Sequence, residues 1–219
     1  MNRYFKYLTY TLLCLILTAC IADKNLDKNK KDTVSYAYLG SLTKDQNIVK
    51  DELINYLGLL KNFNTEAIVE KTYPKLFNMI DKIHFREYIN IMSNSKDIMV
   101  EHYETNITKI GKVTTFSNDT KFSKVEYSSD TKIVFLNPNL YNTENSINFL
   151  YDVLIHKYGK ENIKINVKKR SLKIKKEEHL LIIKEKGNDW KFIGDNREYR
   201  RLYPSILPSE ILNILESNI

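Results

Sequence analysis

Cysteine is almost missing from this chain: among 219 residues there are two, Cys14 and Cys20, both within the first twenty positions. That leaves no thiol downstream for a disulfide framework, a Cys-based zinc site or a nucleophilic Cys paired with a distant His. Glycine is scarce at 6 residues, and no Gly-rich phosphate loop, Gly-x-Ser-x-Gly elbow or His-Glu-x-x-His helix occurs. The four His are scattered, with no second His or Cys near any of them, so neither a metal nor a cofactor is expected. Long apolar runs are lacking too. Leu8–Leu17 holds 10 residues, whereas a spanning helix needs about 20.

What is present begins with that run. Met1–Tyr7 carries Arg3 and Lys6 and no acid, Leu8–Leu17 is uncharged and largely apolar, and small residues follow. This is the order of a secretory leader. The next four residues, Leu17-Thr18-Ala19-Cys20, resemble the lipobox of bacterial lipoproteins. The resemblance implies cleavage before Cys20, a diacylglyceryl thioether on its sulfur and acylation of the new amino group, so that membrane lipid is the first partner expected. Two or more chains are needed because each buried methylene contributes about 0.8 kcal/mol and a single chain binds only marginally. Ile21 stands where an Asp would imply inner-membrane retention, so the resemblance implies the outer membrane, with the folded part in the periplasm or at the cell surface.

Residues 21–35 alternate in charge and offer little to bury, which predicts a disordered tether. The expected organisation is a leader over 1–19, a tether over 20–38 and one domain over 39–219. Tyr36 and Tyr38 are placed to dock onto that domain. Its composition is globular, with 42% hydrophobic and 11% aromatic residues.

The formal net charge is +7, and the excess is local: 11 basic against 4 acidic residues lie between Lys157 and Lys186. These lysines alternate with apolar residues and lack stacking aromatics between them, so they read as the solvent face and edges of a sheet, not a nucleic-acid surface.

Periodicity predicts an amphipathic helix from an N-cap at Thr43 to Lys61, a second run from Asn64 interrupted at Pro74, and a third over Asp81–Met92. Strand-like segments follow at Asp97–Thr105, Ile107–Thr115, Lys121–Tyr127 and Thr131–Leu136, with Ser128-Ser129-Asp130 as turn material. A helix over Asn145–Lys157 stops at Gly159, and strands over Ile163–Val167, His179–Lys186 and Asp189–Ile193 lead to a short helix over Ser209–Leu215. The expected class is α+β: N-terminal amphipathic helices packed on a curved antiparallel sheet, with a further helix between strands. Leading helices with a Tyr73-Pro74 step, long antiparallel strands and the hairpin Gly187-Asn188-Asp189-Trp190-Lys191-Phe192-Ile193 resemble the nuclear-transport-factor-2-like, cystatin-related fold. That resemblance implies a cavity that binds apolar ligands or performs acid–base chemistry.

The candidate for such chemistry is His102. Period-2 alternation puts Ile98, Val100, His102 and Glu104 on one face, where Glu104 would support His102 as a general base. His179 is expected exposed at a strand end, and His84 and His156 in surface contacts with acids one turn away. Most of the 15 Tyr and 9 Phe fall at core spacing. The functional expectation is a membrane-anchored envelope lipoprotein that is a binding module and not an enzyme, for a small apolar ligand or an envelope protein. Two alternatives stand beside it: an isomerase- or dehydratase-like enzyme using a cavity His, and a structural accessory subunit docking through the basic strands near Lys164–Lys176.

Overall fold

The computed structural model describes residues 34–36, 39–139 and 143–216. The lipobox, Cys20 and Tyr38 lie outside these. Local signals start each helix. Helix α1 (Lys44–Lys61) opens on a capping box in which Thr43 Oγ1 accepts from Gln46 N and the Gln46 side chain accepts from Thr43 N. It buries Val49, Leu53, Tyr56, Leu57 and Leu60. Asn64 caps α2 (Thr65–Lys71), and Asp81 caps α3 (Lys82–Ser93), which buries Phe85, Ile89 and Met92. Pro74 begins a separate 3-10 turn over Pro74–Asn78, because its missing N–H is tolerated only where a helix starts.

The sheet runs β1 (Val34–Tyr36), β2 (Ile98–Ile110), β4 (Lys121–Phe135), β6 (Ser171–Lys184) and β5 (Ile163–Asn166), with β3 (Thr114–Thr115) on β4 and β7 (Lys191–Gly194) on β6. All pairs are antiparallel except β1 with β2. The tether expected over 20–38 therefore includes a strand: Val34–Tyr36 lies along Thr105–Ile107, its side-chain-independent backbone pairing adding an edge to β2.

The four segments expected before the fourth helix form two long strands, β2 and β4, with Thr114–Thr115 of the second segment set apart as β3. β4 passes straight through Ser128-Ser129-Asp130, with no turn there, and pairs with β6 from Lys121↔Lys184 to Val134↔Ser171. β6 begins eight residues before the expected His179. Helix α4 (Glu144–Tyr158) connects β4 to β5 and ends at Gly159, whose φ of 85° suits a residue without a Cβ.

Both faces of the sheet are used. On the inner face, α1–α3 pack on Ile107, Ile110, Val125, Tyr127, Leu180 and Ile182, with Tyr56 stacked on Phe192 at 4.1 Å between ring centroids. Further along the same face, α4 packs through Ile147 and Leu154 on Phe135, Leu172 and Ile174. On the outer face, helix α5 (Ser209–Glu216) and the preceding 3-10 segment cover Phe122, Leu181 and Ile183. The rest of that face carries cross-strand ion pairs: Lys132 with Glu101 at 2.8 Å, Lys109 with Glu126 at 3.2 Å and Lys173 with Asp130 at 2.9 Å. Among the described residues no helix is long and apolar enough to cross a membrane.

Candidate functional site

The two helical packs leave a strip of the inner face between them, and the side chains there are polar. Ladder register builds the strip in rungs: His102 faces Thr131, Thr105 faces Ser129, Ser129 faces Lys176, and Tyr127 faces Glu178. His102, Thr105, Ser129, Thr131 and Lys176 are all buried, Lys176 to 1% exposure. A lysine this deep in a sheet is rare, since burying a charge is costly without a compensating environment.

Two bulges in β2 set which residues point inward. Three residues of β2 from His102 to Thr105 span two of β4, and two from Ile107 to Lys109 span one. The first bulge breaks the alternation that places Glu104 beside His102: Glu104 is exposed, and the inward residue is Thr105. The His102 ring instead meets Thr131, with Nδ1 and Oγ1 3.1 Å apart. Burial, followed by the fields of Lys176 and Lys61, holds the ring well below the usual histidine pKa, so it is neutral. Glu178 behaves oppositely: burial raises its carboxyl, and Lys176 and Lys157 only partly offset that.

The roof of the strip is aromatic. Phe63 and Tyr88 each pack against both the α1–α3 core and the Met92–Val100 cluster, and so bridge the polar rungs between Val100 and Ile107. Phe63 holds φ at 45° as it ends α1, where Asn64 N donates to Leu59 O at 3.0 Å. That left-handed position normally takes Gly, and a Phe there costs about 1–2 kcal/mol. Phe63 is half-buried against both apolar clusters. The Tyr88 and Ser129 hydroxyls are buried without a hydrogen-bond partner among the described residues. Native interiors leave few such groups empty-handed, and those that are call for an explanation.

The strip has an edge. β5 pairs with β6 over Ser171–Ile174 and β7 over Leu180–Ile183, so among the described residues no strand lies alongside Lys175–Glu178 on the side away from β4. Tyr158, at the end of α4, stands beside this notch with its ring 5.9 Å from Lys176 Nζ and 5.2 Å from Lys157 Nζ.

The other histidines sit elsewhere. His84 is exposed beside Asp81 at 3.7 Å, and His156 is exposed on α4. His179 is not at a strand end: it lies within β6 on the outer face opposite Glu126, half-buried, with Nδ1 buried and unpartnered among the described residues. Near it, Asp195 is buried and receives Lys124 at 2.6 Å, Arg200 at 3.2 Å and the Tyr203 hydroxyl at 3.1 Å. Burial pushes the Asp195 carboxyl up, but those cations outweigh it and hold it below the ordinary range. Among the described residues no three His, Cys, Asp or Glu side chains converge to hold a metal. A surface groove of about 480 Å³ lies at the far end of the sheet, lined by Lys75, Thr120, Glu185 and Pro204 among others, away from His102. The basic segment Lys164–Lys176 carries none of the large exposed hydrophobics, which are Ile48, Met79, Ile83, Ile91, Leu136 and Phe149.

The sequence reasoning reached His102 but missed Ser129, Thr131, Lys176 and Glu178. A signal was available in Ser128-Ser129-Asp130, which lies within a period-2 pattern running from Phe122 to Phe135. Comparison with protein-family models, curated proteins and solved structures returns no match.

Proposed function

We propose that the chain is a lipid-anchored cell-envelope protein whose folded domain is a binding module, with the buried polar strip between α1–α3 and α4 as its site. One observation carries the binding assignment: a fully buried lysine and two hydroxyls unpartnered among the described residues occupy the middle of a face that is otherwise apolar and covered by helices. Packing alone does not require these residues, because the rungs on either side are filled by Val100, Ile133, Leu172, Ile107, Val125 and Leu180. The composition of the strip favours a polar ligand over an apolar one. A neutral His102 hydrogen-bonded to threonine, with Glu104 turned outward, lacks the carboxylate that the acid–base alternative gave it. The accessory-subunit alternative lacks an apolar patch among its basic strands.

The anchor rests on Leu17-Thr18-Ala19-Cys20. The binding reading is tested by native mass spectrometry of the full chain extracted from its own envelope in a non-ionic detergent. A bound small molecule beyond the lipid mass is expected, and its loss in Lys176→Met. Protein that is empty under every mild extraction overturns the reading.

A further inference from the structure

We propose that the groove at the far end of the sheet is a second binding site and that its ligand is a neutral saccharide. The groove shares no residue with the polar strip, so the two sites stand or fall separately. It holds about 480 Å³, within the range of about 300–1,000 Å³ that small-molecule clefts occupy. Four segments wall it: Lys75 from the turn after α2, Asn118 and Thr120 from the β3–β4 loop, Glu185, Lys186 and Asn188 from the β6–β7 loop, and the stretch 204–208 ahead of α5. Turn hydrogen bonds set those walls before a ligand arrives. Thr120 N donates to Asn118 Oδ1 at 3.0 Å, Asn188 N to Glu185 O at 3.0 Å and Leu207 N to Tyr203 O at 2.8 Å.

Charge argues for a neutral ligand. Both ammonium groups of the groove are already paired, Lys75 Nζ with Glu185 Oε1 at 2.8 Å and Lys186 Nζ with Asp119 Oδ2 at 3.0 Å. A ligand of either sign would meet its like at each pair. What the groove does offer is a mixture of donors and acceptors. Glu185 Oε1 takes Tyr73 and Lys75, which leaves Oε2 to accept, and Asn118 keeps its Nδ2 to donate once Oδ1 has taken Thr120 N. The Thr120 and Ser205 hydroxyls and the Asn188 side-chain amide are likewise unpartnered among the described residues. A sugar hydroxyl donates and accepts at once and so suits such a set. The Pro204 and Pro208 rings, beside Ile206 and Leu207, add an apolar surface for the C–H face of a pyranose. An extended peptide is neutral and mixed in the same way, but it is held by pairing with free backbone groups. Pro204 and Pro208 have no N–H, and Ile206 N and Leu207 N already donate to Tyr203 O, so that wall gives a peptide no ladder.

The test is a microarray probed with the labelled full chain in a non-glycosidic neutral detergent, bearing neutral hexose and N-acetylhexosamine oligosaccharides, uronic and sulfated ones, and short unmodified peptides. Neutral oligosaccharides should be retained over the acidic ones and the peptides. The best-retained oligosaccharide is then titrated by calorimetry against three variants whose fold is checked by circular dichroism. Asn188→Ala, at an exposed turn position, and Thr120→Val, which exchanges a hydroxyl for a methyl of the same shape, should each weaken binding three- to tenfold. Ser205→Trp, which puts a bulky side chain into the groove from an exposed position, should weaken it at least tenfold. Retention of acidic glycans or peptides in place of neutral glycans overturns the saccharide assignment. Neutral-glycan binding that survives intact in all three variants overturns the assignment to the groove. Retention of nothing overturns the proposal and leaves the reading of the strip untouched.

Discussion

Ser129 stands directly across the β4–β6 ladder from Lys176, and both residues are 1% exposed on the inner face of the sheet. The Ser129 hydroxyl is unpartnered among the described residues. A buried hydroxyl left unmatched costs more than a matched one contributes. Ser129→Ala should therefore leave the unliganded protein as stable as wild type, within about 1 kcal/mol, or slightly more stable. Urea unfolding measures this, and a loss of more than about 2 kcal/mol would show that the hydroxyl is already satisfied in the folded state.

His102 sets a pH dependence. Its folded pKa lies well below the ordinary value of 6.5, so the unfolded chain binds the proton first as pH falls. The stability associated with the neutral ring is present above about pH 6.5 and is lost as the pH drops from there toward the folded value. Glu178, raised above 4.5, acts with the opposite sign: its contribution is full below 4.5 and lost as pH rises through the folded value. His102→Gln should thus flatten the decline as the pH falls below about 6.5, and Glu178→Gln should remove the gain in stability as the pH falls toward 4.5. Unfolding curves measured from pH 7.5 down to 4.5 decide, and identical pH slopes in wild type and His102→Gln would contradict a buried neutral ring.

Asp195 fastens the C-terminal segment to the outer face. Its carboxylate is buried and takes Lys124, Arg200 and the Tyr203 hydroxyl, while Tyr203 packs in the cluster with Ile206, Leu207 and Ile211. Asp195→Asn should cost about 2–3 kcal/mol, less than a fully enclosed pair because both cations retain a path to solvent. The loss should be local. Hydrogen exchange is expected to quicken in α5 and β7 before β4, and uniform loosening would show that the clasp supports the whole domain.

The anchor makes a separate prediction. Replacing Cys20 with Ser should abolish incorporation of labelled palmitate and release the protein from the membrane fraction in the host envelope. Persistent labelling would place the lipid elsewhere or remove the anchor reading.

The helices were legible because their signals are local. Thr43, Asn64 and Gly159 each mark a helix end through a cap that a few neighbouring residues define, and the structure puts all three at those ends. The α+β arrangement followed from one-sided helices and alternating strands. The long strands were harder. Ser128-Ser129-Asp130 has turn chemistry by composition, yet it is held extended by β2 on one side and β6 on the other, partners that are distant in sequence. Ser171–Glu178 was hidden for a related reason: its lysines lie on both faces, Lys173 and Lys175 exposed and Lys176 buried. The bulge after His102 shifted the inward position from Glu104 to Thr105, which no period-2 count anticipates. The polar strip was obscured because burying polar residues removes the contrast on which strand reading depends.

The most direct measurement is a crystal structure of the full chain purified from its native envelope. Non-protein density is expected on the inner face between α1–α3 and α4, within hydrogen-bond distance of Ser129 Oγ. A strip closed entirely by its own side chains, with the Ser129 and Tyr88 hydroxyls bonded to protein atoms, would contradict it.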